Sequence, residues 1–138
     1  MHEHSLEKGV FTISIDFEFA WGYADQALSD SRKERIKKEV QITRRLISLF
    51  EKYNIPVTWA IVSRLLEGGD DVLWSDVEGL VPLIRSSRAN HEIASHSYSH
   101  LIYGARGTSP GAAEEDIKKA KETHEKNSLD FKSFVFPR

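Results

Sequence analysis

The sequence predicts an α/β domain in which helices alternate with short parallel strands. Residues 10–15 and 57–62 are apolar and rich in β-branched and aromatic side chains, as buried strands of parallel sheets are. Residues 31–53 lie between them and repeat apolar side chains near the helical period, which predicts a long amphipathic helix. This strand–helix–strand order favours a parallel sheet with helices packed outside it.

Local signals set the boundaries of these first elements. Gly9 precedes the first strand, and Asp30 or Ser31 is suited to cap the start of the helix through a side-chain oxygen. Residues 54–56, Asn-Ile-Pro, end the helix because the residue before a proline avoids helical geometry.

The second half of the chain continues the alternation. We predict a loop over 68–71, a short helix within 75–87, a strand over 92–95, a charged helix over 112–126 and a strand over 131–136. The complete order, β-α-β-(α)-β-α-β, fits either an open doubly wound sheet or a partial α/β barrel.

The composition excludes several classes of function. With 138 residues, 40% of them hydrophobic, the chain is long enough to bury the core of one domain. Nineteen basic against 21 acidic residues give a net charge of −2, which predicts no nucleic-acid partner. The absence of cysteine excludes disulfides and thiolate sites. Since no apolar run is typical of a signal peptide or a membrane span, we predict a cytoplasmic location.

Polar side chains of chemical interest follow three of the predicted strands. Asp16 and Glu18 follow the first strand, His96 and His100 follow the third, and Arg138 follows the last. Because the carboxyl ends of parallel strands meet at one edge of a sheet, we expect these side chains to converge there.

These residue types predict a metal site. Imidazole and carboxylate are the ligands that zinc accepts when no thiolate is present, and a catalytic site leaves one position open. His96 and His100 are four residues apart, so both could reach one ion if the segment coils into a helical turn. One acid would complete the ligand set, and the other would act as a general base toward water activated by the ion.

Each motif also has an ordinary alternative. An HxxxH pair is common on surfaces and in cores, and a DxE sequence is common in turns and at helix starts. The other histidines are interpreted as terminal, loop or solvated helix residues, with His91 close enough for a supporting role; they are His2, His4, His91 and His124. Trp21 is either a packing residue or part of a substrate groove.

Four segments together resemble a known family. SIDFEFAWG, IPVTWAIV, HEIASHSYSH and FVFPR occur in the order found in polysaccharide deacetylases with the NodB-homology domain. The similarity extends from Phe11 to Arg138, and HSYSH is its most specific element. It implies a distorted (β/α) barrel and a metal-dependent hydrolase that removes acetyl groups from N-acetylated sugars. The implied ion is zinc, with cobalt or nickel as alternatives.

The resemblance also implies roles for the site residues. His96 and His100 become metal ligands, Glu18 the third ligand and Asp16 the catalytic base. Where the family has two adjacent aspartates, Phe17 intervenes here and the second acid is a glutamate. The reverse assignment of Asp16 and Glu18 stays open because residues two apart on an extended segment point the same way.

The third motif of the family contributes an arginine that holds the catalytic acid and a backbone amide that binds the oxyanion. Arg138 is assigned that role by resemblance, although the usual arginine-first order is not kept. Ser97 and Ser99 are expected to orient the histidines or their loop.

The resemblance implies that residues 1–138 are a partial NodB-homology domain, the N-terminal half of the barrel. A (β/α) barrel of ordinary size has about 250 residues. The family's later motifs, including a general-acid histidine, would lie beyond residue 138. We therefore expect the sequence to be a fragment of a longer protein.

The predicted function is metal-dependent removal of N-acetyl groups from sugars of a surface polysaccharide or its precursor. One alternative is a hydrolase of the same fold acting on a small non-sugar amide. Another, from a different class, is a catalytically silent domain that binds metal or carbohydrate.

Overall fold

A three-stranded parallel sheet organises the chain. The structure, a computed structural model, describes residues 8–23, 27, 29–69 and 79–137. In this part of the chain the strands are β1 (Ser14–Phe17), β2 (Thr58–Ile61) and β3 (Glu92–Ser95), paired in the order β1-β2-β3. The register aligns Phe17 with Ile61 and Ile61 with Ser95, so all three strands end at the same level. The residues that follow β1 and β3 therefore start from one edge of the sheet.

Three α-helices accompany the sheet in the described residues. They are α1 (Asp30–Tyr53), α2 (Leu80–Ser86) and α3 (Pro110–Lys126), with short 3-10 helices at Phe19–Tyr23 and Ser63–Leu66. The α/β class is confirmed as an open parallel sheet with helices, which is consistent with part of a deacetylase barrel. No helix among these residues is long and apolar enough to cross a bilayer.

The core lies between the sheet and α1. Trp59, 1% exposed at the centre of β2, makes edge contacts with Phe17 of β1 and Phe50 of α1 at ring-centroid distances of 6.1 and 6.3 Å. The buried side chains of α1 repeat at helical spacing, as the sequence predicts: Ile36, Val40, Ile47 and Phe50. Burying side chains of this size stabilises the fold by about 1.5–3 kcal/mol each.

The caps explain small differences at the helix starts. The cap of α1 is Ser29, one residue before the predicted pair, and its hydroxyl accepts from the backbone N–H of Arg32 at 3.4 Å. Ser109 caps α3 by accepting from the N–H of Ala112 at 3.1 Å, and Pro110 occupies the first turn. Proline is suited to that position because its missing N–H would have no helical partner there.

Three predicted strands are shorter in the structure, and the second, predicted over 57–62, covers Thr58–Ile61. The first begins at Ser14 rather than residue 10, and the unpaired Val10 and Phe11 are 65% and 89% exposed. The predicted strand over 131–136 is reduced to one parallel bridge between Phe134 and Ser95. Its two backbone hydrogen bonds run from the N–H of Ser95 to the carbonyl of Ser133 at 2.9 Å and from the N–H of Val135 to the carbonyl of Ser95 at 2.8 Å. Residues 70–71 of the predicted loop lie outside the described residues.

Candidate metal centre

The turn after β1 presents two carboxylates at the edge of the sheet. Asp16 lies within β1, and Glu18 follows its last residue. Phe19 then adopts a positive φ of 45°, and the N–H of Trp21 donates to the carbonyl of Glu18 at 2.9 Å. The strand therefore ends in a tight 3-10 turn that leaves the Glu18 side chain facing β3.

Gly22 leaves room for the Glu18 carboxylate in its present position. A Cβ atom at position 22 would clash with Glu18 Oε1 and lie 2.8 Å from Glu18 Cδ. A larger residue at position 22 would therefore displace the Glu18 side chain.

The segment after β3 carries the two histidines in a non-helical loop. The N–H of His96 donates to the carbonyl of Ile61 at 2.7 Å, and those of Ser63 and Arg64 donate to the carbonyls of Ser97 and Tyr98 at 3.0 Å each. The loop is thus anchored to the residues that follow β2.

Backbone strain, rather than a helical turn, brings the imidazoles together. Ser97 and His100 have φ angles of 67° and 58°, in the left-handed region that costs a non-glycine residue about 1–2 kcal/mol. The two imidazole centroids are 5.2 Å apart. His96 and His100 therefore lie close together without the helical turn that the sequence analysis gave as the condition for their meeting.

Glu18, His96 and His100 form a compact group of three donors. Glu18 Oε2 lies 3.3 Å from His96 Nε2 and 2.9 Å from His100 Nε2. The ligand atoms of all three lie within 4.8 Å of one another. The imidazoles are buried, whereas the Glu18 side chain is 32% exposed, so the group opens toward solvent on its carboxylate side.

Asp16 stands beside this group rather than within it. Its Oδ2 lies 4.0 Å from His96 Nε2, and its side chain is 56% exposed. Asp16 and Glu18 also line a cleft of about 260 Å³ with Tyr23 and Glu39. The two acids that the sequence left interchangeable thus differ in exposure and in distance from the histidines.

The orientation of the His96 ring is set by the chain near Phe134. His96 Nδ1 lies 2.9 Å from the carbonyl of Val135, which can only accept. Nδ1 therefore carries the proton in the neutral ring, and Nε2 presents its lone pair to the Glu18 side of the group. A backbone acceptor on the outer nitrogen is the usual support of a metal-binding histidine.

The electrostatics favour positive charge between these side chains. Hydrogen bonding to His96 lowers the pKa of Glu18, although burial opposes the change. Burial acts to lower the pKa of His96, but the hydrogen bonds to Glu18 and Val135 and the charges of Asp16 and Glu18 outweigh it, so the pKa is raised. An arrangement that stabilises a proton on an imidazole also suits a divalent cation.

This donor set fits a divalent metal. Two imidazole nitrogens and one carboxylate oxygen are a ligand combination found in catalytic zinc sites. The fit rests on the converging Nε2 atoms and on the tautomer that Val135 imposes. The group could therefore hold a metal ion through Glu18, His96 and His100; the identity of the ion stays a prediction.

Trp21 lies at the rim of the same edge. The guanidinium carbon of Arg64 is 4.8 Å from the Trp21 ring centroid and 5.5 Å from that of Tyr98. Trp21 also packs partly buried against the core. The partly buried packing agrees with the interpretation of Trp21 as a packing residue, and its role in a substrate groove stays a prediction.

Other predicted residues lie elsewhere. Arg138 is outside the described residues. His91 lies just before β3, where its Nδ1 accepts from the N–H of Val57 at 3.2 Å, so it supports the opposite end of the strands. His124 is 0% exposed, which corrects the interpretation of a solvated helix residue.

Sequence reasoning missed Asp116. This buried residue of α3 accepts hydrogen bonds from the loop that carries the histidines. In the sequence Asp116 is one of several acidic residues in a charged helix, and nothing distinguishes it from its neighbours.

One large cleft among the described residues is remote from this chemistry. It measures about 650 Å³ and lies between the second 3-10 helix and α2, lined by Leu65, Val81 and Arg85 among others. None of the three metal-site residues lines it, so size alone does not identify the functional site.

The comparisons with known proteins agree with the geometry. The family model for polysaccharide deacetylase matches residues 24–138, which include both histidines and begin after Asp16 and Glu18. A search of the curated proteins found no match. On the strength of the family match, which covers most of the sequence, the chain belongs to the polysaccharide deacetylase family.

Proposed function

We propose that the protein is a metal-dependent hydrolase that removes N-acetyl groups from sugars of a surface polysaccharide or its precursor. One observation carries the proposal: in a chain of this family, a Glu18 oxygen lies 2.9 and 3.3 Å from the Nε2 atoms of His100 and His96. Family membership implies an acetylated carbohydrate as the substrate class.

Glu18, His96 and His100 are the proposed metal ligands. Glu18 is favoured over Asp16 because it approaches both imidazoles, whereas Asp16 is 4.0 Å from one of them. A divalent ion, most simply zinc with cobalt or nickel as substitutes, would polarise the acetamide carbonyl and lower the pKa of a nearby water.

Asp16 is the proposed general base. Its exposed carboxylate faces the same group and can accept a proton from the attacking water. Attack forms a new C–O bond at the acetamide carbon and gives a tetrahedral adduct. Its collapse breaks the C–N bond, and the proton held by Asp16 is available to the leaving amine, so that acetate and the free amino sugar are released.

Two further roles are proposed. The family resemblance suggests that Arg138 holds the catalytic acid, near a backbone amide that stabilises the oxyanion. The position of Trp21, three residues after Glu18, suggests that its partly exposed side chain lines a substrate groove, and the cation–π contact with Arg64 supports a fixed position for its ring.

Release of acetate from N-acetylglucosamine oligomers tests the proposal. The full-length protein, supplied with zinc, cobalt or nickel, is expected to release acetate. Asp16→Asn should lower the rate by at least about 100-fold, because general-base catalysis contributes on that order, while metal binding is retained. Bound metal is measured in parallel by elemental analysis.

Asp30→Asn is the matched control, since Asp30 is an exposed acid at the start of α1 whose side chain is 99% exposed. It should leave the rate unchanged. Metal binding without acetate release by the wild type would instead indicate a silent binding domain. Equal rates for Asp16→Asn and the wild type would exclude Asp16 as the base.

A further inference from the structure

A buried carboxylate on α3 accepts four hydrogen bonds from the loop that carries the histidines and from Tyr103 just beyond it. Asp116 is 6% exposed, yet its oxygens accept from the N–H groups of Tyr98 and Ser99 at 2.9 and 3.2 Å. They also accept from the hydroxyls of Ser99 and Tyr103 at 2.8 and 2.7 Å. Asp116 thus connects α3 to the segment between His96 and His100 and to the residues just beyond it.

The location of these bonds coincides with the strain in the loop. Ser97 and His100, the two residues of this loop with positive φ, directly flank Tyr98 and Ser99, whose backbone N–H groups donate to Asp116. A loop of this conformation needs external support, because non-glycine residues leave the left-handed region readily. The backbone bonds from Ser63 and Arg64 support the carbonyl side of Ser97 and Tyr98, and Asp116 supports the N–H side.

The chemistry of the site requires a carboxylate. All four partners donate, and an ionised carboxylate offers only acceptors. An asparagine has the same size but would turn an NH₂ group toward some of these donors. Bonds from neutral donors to a charged acceptor are also stronger than those between neutral groups.

We propose that Asp116 is a positioning residue that holds the His96–His100 segment in the conformation in which both imidazoles face Glu18. The proposal rests on the proposed function, since it assigns to Asp116 the alignment of the metal ligands. It adds a residue from a separate element, 16 positions after His100, to the support of the site.

Asp116→Asn tests the proposal with cobalt as the probe. We expect cobalt affinity to fall about 10- to 100-fold, as for other outer partners of metal ligands. The visible absorption bands of bound cobalt should also change, because ligand geometry sets them. Independently of metal, hydrogen exchange at the Tyr98 and Ser99 amides should accelerate at least about tenfold. Ser99→Ala and Tyr103→Phe each remove one hydroxyl donor and should give smaller losses of affinity, which keeps the test open if Asp116→Asn does not fold.

Two controls separate positioning from general stability. Glu115→Gln changes an exposed neighbouring acid and should leave affinity and exchange unchanged. Ala120→Gly weakens the same helix at a fully buried position and should lower Tm while cobalt affinity and its spectrum are retained.

The outcomes are distinct. Wild-type affinity and spectrum in Asp116→Asn, or an equal loss of affinity in Ala120→Gly, overturns the positioning role. If the wild type binds no cobalt, the proposed metal site fails, and the amide exchange alone then decides whether Asp116 orders the loop. If hydrogen exchange at the Tyr98 and Ser99 amides is the same in Asp116→Asn as in the wild type, Asp116 does not order the loop.

Discussion

His96 and His124 are both buried, yet their surroundings shift the pKa in opposite directions. His96 faces Glu18 and Asp16, which together outweigh its burial and raise the pKa. His124 packs against Phe131 at 5.3 Å and has one long contact, 3.3 Å, to the carbonyl of Asp130, so burial lowers its pKa. Partners, rather than burial alone, decide which histidine can bind a cation.

His124 should make the protein sensitive to mild acid. Below its ordinary pKa of 6.5 the unfolded chain takes up a proton that the folded ring resists, so stability falls as the pH falls. Above that pH the ring is neutral in both states and contributes no pH dependence. His124→Phe should remove this component, at most about 1.4 kcal/mol per pH unit, from the free energy of unfolding.

Urea denaturation between pH 7.5 and 5.5 measures the difference between wild type and variant. Glu125→Gln, at an exposed position beside His124, should keep the wild-type pH profile. A pH profile in His124→Phe identical to the wild type would mean that folding does not lower the pKa of His124.

At the scale of elements, α3 buries a polar face. Its buried residues are Asp116, Ala120, Thr123 and His124, which repeat at helical spacing but include one hydrophobic side chain. The Thr123 hydroxyl and the Tyr98 hydroxyl both donate to Glu67, at 3.4 and 3.0 Å, which adds to the link between α3 and the site loops. Hydrogen bonds from this face therefore link the helix to the loop that carries the histidines and to Glu67.

Ser109→Ala should destabilise this helix. Loss of the hydroxyl leaves the N–H of Ala112 without its capping acceptor, and such changes cost about 1 kcal/mol. Chemical denaturation gives the difference in free energy. Ser48→Ala, in the middle of α1, is the matched serine control and should be neutral or slightly stabilising, since alanine favours a helix interior. Equal effects of the two substitutions would argue against the capping role.

At the scale of the whole molecule, the aligned strand ends bring three loops to one edge. Glu18 follows β1, Arg64 follows β2, and His96 follows β3. The backbone bonds between the second and third loops make this edge one connected unit. A ligand that binds there is expected to stabilise the entire fold.

Zinc should therefore raise the thermal stability of the wild type. Free zinc at 100 times its dissociation constant stabilises the native state by about 2.7 kcal/mol, which corresponds to several degrees in Tm. A chelator should reverse the rise. His96→Ala should show no zinc-dependent shift, and the comparison is made within each variant so that its own stability cancels. A similar shift in both proteins would place the zinc elsewhere.

Much of the fold was accessible from sequence because it rests on local patterns. The strand over 92–95 and the long helix ending at Tyr53 match the predicted bounds at those positions, since apolar periodicity and Pro56 determine them. The last predicted strand is reduced to a single bridge at Ser95, and a local pattern does not reveal how far a segment pairs with a distant strand. The buried face of α3 could not be predicted either, because hydrophobic periodicity detects apolar faces and this face is mostly polar.

The sequence by itself determined which chemical groups follow each strand and hence that Glu18, His96 and His100 could meet. Only the tertiary structure decided that Glu18, rather than Asp16, approaches both imidazoles, and that the histidine loop is non-helical. It also decided that Asp116 supports this loop. The physical reason is that the succession of strands and helices along the chain follows from local sequence patterns. The convergence of side chains and the buried hydrogen bonds depend instead on distances between segments far apart in sequence.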